Sequence, residues 1–201
     1  MNKYFLNNKT VVIASHNSGK ILEFKSLLST YKVNVITALD IKVPDVEEVG
    51  KSFKANSILK AKNIPDTHIC ISDDSGLCVD SLNGFPGIYS ARFAKENGGW
   101  DNAMKELHKR ILQKKSNCFK ASFYCVITLK WYNKWLKSFS GKIKGHITWP
   151  PRGENGFGYD PFFIPSGFKQ TFAEMLHKEK ILLDHRYIAF KKLAKLHLAD
   201  N

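Results

Sequence analysis

Residues 10–30 read TVVIASHNSGKILEFKSLLST. The β-branched run Thr10-Val11-Val12-Ile13-Ala14 predicts a short strand, and Ile21, Phe24, Leu27 and Leu28 recur at the spacing of one helical face. Strand, tight loop and helix thus follow one another without a linker, which marks the start of an α/β chain. The loop, Ser15-His16-Asn17-Ser18-Gly19-Lys20, fails the GxxxxGK[ST] phosphate-loop pattern twice, with Ser15 for the first glycine and Ile21 for Ser or Thr. A P-loop nucleoside triphosphatase is not expected. A Gly-containing turn at a helix start still aims backbone N–H groups and Lys20 at one point, so the loop reads either as an anion site or as a solvated connection.

Further along, Val33 to Ala38 predicts a second strand, Ser52 to Asn63 a helix capped by Ser52, and Ile69 to Ser72 a third strand. That strand delivers Ser72-Asp73-Asp74-Ser75-Gly76 at its end. Leu77 to Leu82 leads into NGFPGIYSARF, dense in Gly and Pro and read as a shaped loop. Asp101 to Lys114 is helical, with Met104, Leu107, Ile111 and Leu112 on one side. From Cys118 to Trp131 apolar and polar residues alternate with the period of a long half-buried strand, Asn133 marks a hairpin turn, and Trp135 to Trp149 returns. PPRGENGFGYDP is a second loop rich in Gly and Pro, and His185 to Leu198 is helical. There is no repeat or low-complexity tract. The expected fold is α/β, with a long mixed, partly antiparallel sheet flanked by helices.

With 201 residues, 43% of them hydrophobic, the chain has room for one large domain or two small lobes around a real core. Against 18 acidic residues stand 31 Lys and Arg, a formal charge of +13, which points to an anionic partner: nucleic acid, a membrane surface or nucleotide phosphate. Asn7, Asn8 and Lys9 interrupt the first apolar segment, so no signal peptide is expected, and no run has the length of a membrane span. Cys70, Cys78, Cys118 and Cys125 form no CxxC pair. These features predict a cytosolic protein without disulfides or structural zinc.

Two acidic pairs stand out in so basic a chain, Asp73-Asp74 and Glu47-Glu48, the latter just before Gly50 and the helix at Ser52. A lone acidic pair is usually a cap or a turn. One carboxylate from each pair, meeting in space, would also suffice for magnesium escorting a polyphosphate.

The stretches ASHNSGKILEF, EEVGKSFKANSILKA, SDDSGLCVDSLNGFPGIYSARF, PRGENGFGYDPFFIP, TFAEM and EKILLDHRYIAFKKL, spread over residues 14–193, resemble the inosine triphosphate pyrophosphatases of the HAM1 or RdgB type. The resemblance implies that residues 1–201 form a single nucleoside triphosphate pyrophosphatase domain, with two lobes and an active-site cleft between them. It implies Mg2+-dependent hydrolysis of ITP, dITP and XTP to nucleoside monophosphate and pyrophosphate, and a homodimer.

By the same resemblance, Ser15, His16, Asn17, Ser18, Gly19 and Lys20 cradle the triphosphate. Asn56 and Lys60, four apart on one helical face, would address the same phosphates. Glu47 and Asp74 would be the magnesium ligands, Asp74 would also activate water, and Ser75 would touch the nucleotide. Phe157 would stack on the base, with Gly156 and Gly158 letting the backbone approach, while Gly158, Tyr159, Asp160, Lys180, His185 and Arg186 line the pocket. His185 and Arg186 would donate to the purine 6-oxygen, favouring hypoxanthine and xanthine over adenine.

The chain departs from the family pattern at Ser15-His16-Asn17, where Thr-Gly-Asn is common, and at Asp184, where Ser precedes His-Arg. Asp184 reads as a helix cap or as an acceptor at the base edge. The rival readings are a Maf-type pyrophosphatase acting on pyrimidine or modified nucleotides and a basic nucleic-acid-binding module. The base-pocket residues argue against the first. Against the second, the basic residues are scattered and no nucleic-acid motif occurs, so neither nucleic acid nor membrane is an expected partner.

Overall fold

The computed structural model describes residues 4–114 and 118–199. Six strands pair in the order β2-β1-β3-β4-β5-β6: β1 (Thr10–Ile13), β2 (Asn34–Thr37), β3 (Ile69–Val79), β4 (Lys120–Trp131), β5 (Trp135–Ile147) and β6 (Phe163–Pro165). β1 runs parallel to β2, with Thr10 opposite Asn34, and parallel to β3, with Val11 opposite Ile69. β5 runs antiparallel to β6, with His146 opposite Ile164, so the sheet is mixed as expected. The helices are α1 (Ser18–Leu28), α2 (Phe53–Asn63), α3 (Ser90–Glu96), α4 (Trp100–Leu112), α5 (His177–Lys180) and α6 (His185–His197). The segments β1-α1-β2 and β2-α2-β3 are the crossovers that parallel strands require.

The chain divides into two compact units. The first comprises Met1–Asp74, Cys125–Gly141 and Arg186–Asn201; the second comprises Ser75–Tyr124 and Lys142–His185. In the first, Val12, Ala14, Ala38, Ala61, Ile64 and Cys70 pack into one buried cluster, which seats α2 against β1 and β3. In the second, Leu77 and Val79, Met104, Leu107 and Ile111 from one face of α4, and Phe123, Phe162, Phe163 and Phe172 form the core. Among the described residues no helix is long and apolar enough to cross a membrane.

Several elements differ from the sequence expectation, among them β6 and α5, which no pattern announced. β3 does not stop at Ser72 but continues to Val79, so Asp73 and Asp74 lie in mid-strand, where successive side chains leave opposite faces. The loop after Leu82 contains α3, started by Ser90, whose hydroxyl accepts from the Leu77 N–H (3.1 Å) and donates to the Gly87 carbonyl (2.7 Å). β5 ends at Ile147 rather than Trp149.

Candidate active site

The phosphate-loop reading corresponds to a built helix start. Asn17 caps α1, its Oδ1 accepting the Lys20 N–H at 3.0 Å, and the Ser15 hydroxyl accepts the Asn17 N–H at 3.2 Å. Ser18, Gly19 and Lys20 therefore form the first turn, where N–H groups have no intrahelical acceptor. The Lys20 ammonium lies 3.1 Å from Oδ2 of Asp73.

Asp73 and Asp74 occupy contrasting environments. Asp73 is 1% exposed, and its Oδ2 receives both Lys20 and an Arg186 terminal nitrogen at 3.0 Å. Burial alone would raise its carboxyl pKa, but Lys20, Arg186 and Lys60 outweigh burial and hold it well below the usual carboxylate range. Asp74, 3% exposed, accepts the Asn56 side-chain amide at 2.9 Å. Its carboxyl is pushed up to about 6, first by burial and then by the like charge of Glu48, against the opposing pull of Lys20, Lys60 and the Asn56 hydrogen bond.

Glu48, not Glu47, is the partner of this site. The Glu48 carboxylate pairs with Lys60 and its charge acts on Asp74, whereas the Glu47 side chain is exposed. The strap has no regular alternation at these two residues, and the tertiary partner Lys60 engages the second. Burial lowers the Lys60 pKa, but Glu48, Asp73 and Asp74 together raise it above its usual value. Asn56 is fully buried, takes the Gly50 N–H on Oδ1 (2.7 Å) and gives its amide to Asp74. A Cβ at Gly50 would collide with the Asn56 side chain, which is why that position is a glycine. Two carboxylates whose negative charges act on each other suit a hard divalent cation.

Arg186, expected at the purine edge, spends its two terminal nitrogens on Glu23 and Asp73. All three side chains are buried, so the guanidinium serves as internal counter-ion beneath the phosphate loop. Glu23 sits on α1 one turn beyond Lys20, and sequence reasoning missed it because it is flanked by apolar residues in an ordinary helical pattern.

In the second unit Phe157, Asp160, Lys180 and His185 are linked through Phe172 and Phe123. The Lys180 ammonium pairs with Asp160 at 2.6 Å and lies over the Phe157 ring at 4.8 Å and the Phe172 ring at 5.6 Å from the centroids. Phe172 contacts Phe123 at 5.9 Å, and Phe123 stacks on His185 at 4.8 Å. Asp160 also accepts the Phe157 N–H at 2.9 Å. Gly156 has φ +76°, and a Cβ there would meet the Asp160 carboxylate, so only glycine allows this turn. Tyr159 has a structural place: its hydroxyl donates to the Ser90 carbonyl at 3.3 Å and its ring meets Trp100 edge-on. Ser75 is half-buried on β3, and Asp184 is fully buried immediately before α6. Phe123 was not singled out from sequence, because an aromatic in an alternating strand reads as core, and Phe172 lies in a turn between β6 and α5.

The mixed sheet with its flanking helices defines an α/β protein outside the P-loop class, with a capped helix start and an acidic site in its first unit. The chain belongs to the Ham1 family, whose sequence pattern matches residues 11–196. It is 41% identical over 186 residues to a dITP/XTP pyrophosphatase of Zymomonas mobilis, covering 91% of this chain and 89% of the relative. It is also 41% identical over 191 residues to a dITP/XTP pyrophosphatase of Bacillus licheniformis, covering 94% and 97%. Among solved structures, a HAM1 protein from Coxiella burnetii matches with a TM-score of 0.84 at 34% identity, over 92% of this chain and 96% of that one.

Proposed function

We propose that this protein hydrolyses the α–β anhydride of non-standard purine nucleoside triphosphates (dITP, ITP and XTP), releasing the monophosphate and pyrophosphate and so clearing deaminated purines from the nucleotide pool. The family and the named activity of its relatives support this reading. The observation that carries it is the Asp74 carboxyl, raised to about 6 beside Glu48 and within reach of the charges of Lys20 and Lys60.

In the first unit, the first-turn N–H groups of α1 with Lys20 and Lys60 take the triphosphate oxygens. Asp74 accepts a proton from water as the water oxygen bonds to the α-phosphorus. The bridging α–β P–O bond breaks, and pyrophosphate leaves with the electron pair. A carboxyl titrating near 6 is ionised at neutral pH yet more basic than an ordinary carboxylate, which suits a general base. A divalent cation, proposed as Mg2+, would be held by Glu48 and Asp74 and neutralises phosphate charge when bound. The family resemblance supports stacking of Phe157 on the purine and donation from His185 to its 6-oxygen.

Residues 1–201 act as one catalytic domain, on free nucleotides in the cytoplasm, as a homodimer; the family resemblance supports the dimer, and light scattering on the purified chain tests it. Steady-state rates on a panel of triphosphates, with pyrophosphate and phosphate assayed separately, test the reaction. Pyrophosphate from ITP and XTP well ahead of ATP is the expected result; phosphate release, or equal rates on ATP, would contradict it.

A further inference from the structure

Residues 43–50 join β2 to α2 as a strap with no helix or strand of its own, so individual bonds must hold it. At its entrance the Val43 N–H donates to the Ala38 carbonyl (2.9 Å), and the Asn63 side-chain amide donates to the Pro44 carbonyl (2.9 Å). At its exit the Gly50 N–H donates to Asn56 (2.7 Å). A further anchor comes from the phosphate loop itself. Nε2 of His16 lies 3.0 Å from the Val43 carbonyl oxygen, and Nδ1 lies 3.5 Å from Oδ1 of Asp45. A carbonyl only accepts, so Nε2 carries the hydrogen and donates. The His16 side chain is 23% exposed, so the ring is largely enclosed where it crosses from loop to strap.

Without the His16 anchor, the stretch between Pro44 and Gly50 is held at its ends by Asn63 and Asn56 and in between by the Glu48–Lys60 pair, so Glu48 loses part of its fixed position. With it, the carboxylate is directed to Lys60 and its field falls on Asp74. We propose that His16 is a positioning residue for the acidic strap: by tying Val43 to the phosphate loop, it fixes Glu48 relative to Asp74 and so sets the affinity of that pair for a divalent cation. This rests on the reading of Glu48 and Asp74 as the cation-holding pair.

The test is Mn2+ binding to the full chain without nucleotide, followed by the electron paramagnetic resonance signal of free Mn2+, with far-UV circular dichroism confirming the fold of each variant. His16→Ala should weaken Mn2+ binding by roughly 2- to 10-fold, the worth of one hydrogen bond. His16→Gln, whose amide can still donate to the Val43 carbonyl, should recover most of that loss. If His16→Ala binds Mn2+ as wild type does while Glu48→Gln binds it more weakly, His16 does not position the strap. If Glu48→Gln and Asp74→Asn both bind as wild type does, the carboxylate pair is not the cation site, and the proposal falls with it.

Discussion

Asp73 and Asp74 are neighbours on β3 and carry the same side chain, but they leave the strand on opposite faces. Asp73 meets Lys20 and Arg186 and is held ionised; Asp74 meets Asn56 and the field of Glu48, and its carboxyl is pushed up to about 6. Both are buried, so burial does not separate them. The balance of charges does: Lys20 and Lys60 act on both, but Arg186 adds to them at Asp73 and Glu48 works against them at Asp74. On the proposed mechanism, one face of the strand holds a structural anion and the other the carboxylate that acts on water, a division that the adjacent residues Asp-Asp do not show by themselves.

The largest expected effect is on the reactive face. Asp74→Asn should lower turnover by roughly 10²–10⁴-fold, the range for loss of a general base. Its effect on stability should have the opposite sign. The folded pKa of about 6 lies above the unfolded value of 3.8, so between pH 4 and 6 the folded state keeps a proton that the unfolded state has lost. Stability then falls as pH rises through that window, by on the order of 3 kcal/mol. Urea unfolding at pH 7 should find Asp74→Asn at least as stable as wild type, with a flatter dependence between pH 4 and 6. Marked destabilisation at pH 7 would mean that the Asp74 charge supports the fold.

Asp73→Asn should do the reverse. It leaves Lys20 and Arg186 facing each other and Arg186 only partly compensated, and breaking such a buried pair costs about 3–5 kcal/mol. In wild type this contribution is present above the unfolded carboxyl pKa and is lost as pH falls below about 4. Equal urea midpoints for wild type and Asp73→Asn at pH 7 would remove the distinction between the two faces.

A smaller effect belongs to the second unit. Phe157→Ala should weaken ITP and ATP alike, by about 1 kcal/mol in kcat/KM, because a stacked ring reads the face of a purine and not its edge. A loss confined to ITP would assign Phe157 to edge discrimination.

Much of this arrangement was legible where the determinants are local. Thr10 to Ile13 is β-branched, and Asn17 and Ser52 precede their helices with side chains that accept first-turn N–H groups, from Lys20 at 3.0 Å and Ala55 at 3.1 Å. What escaped depends on partners distant in sequence. Two aspartates argue against a continuing strand until Lys20, Arg186 and Asn56 compensate them. Glu47 and Glu48 lie in a strap without periodicity, so only Lys60 tells them apart. Arg186 carries the right chemistry for a purine edge, and only the burial of Glu23 on α1 shows where its guanidinium is engaged. β6 spans three residues, too short for a periodic pattern to register.

The two faces of β3 can be separated most directly by following the side-chain carboxyl carbons of Asp73 and Asp74 in a 13C-labelled protein, assigned with the Asn variants, from pH 4 to 8. Asp74 should titrate with a midpoint near 6, and Asp73 should stay ionised and show no step in that range. A step near 6 at Asp73, or an Asp74 carboxyl already ionised at pH 4, would contradict the division of structural and reactive roles between them.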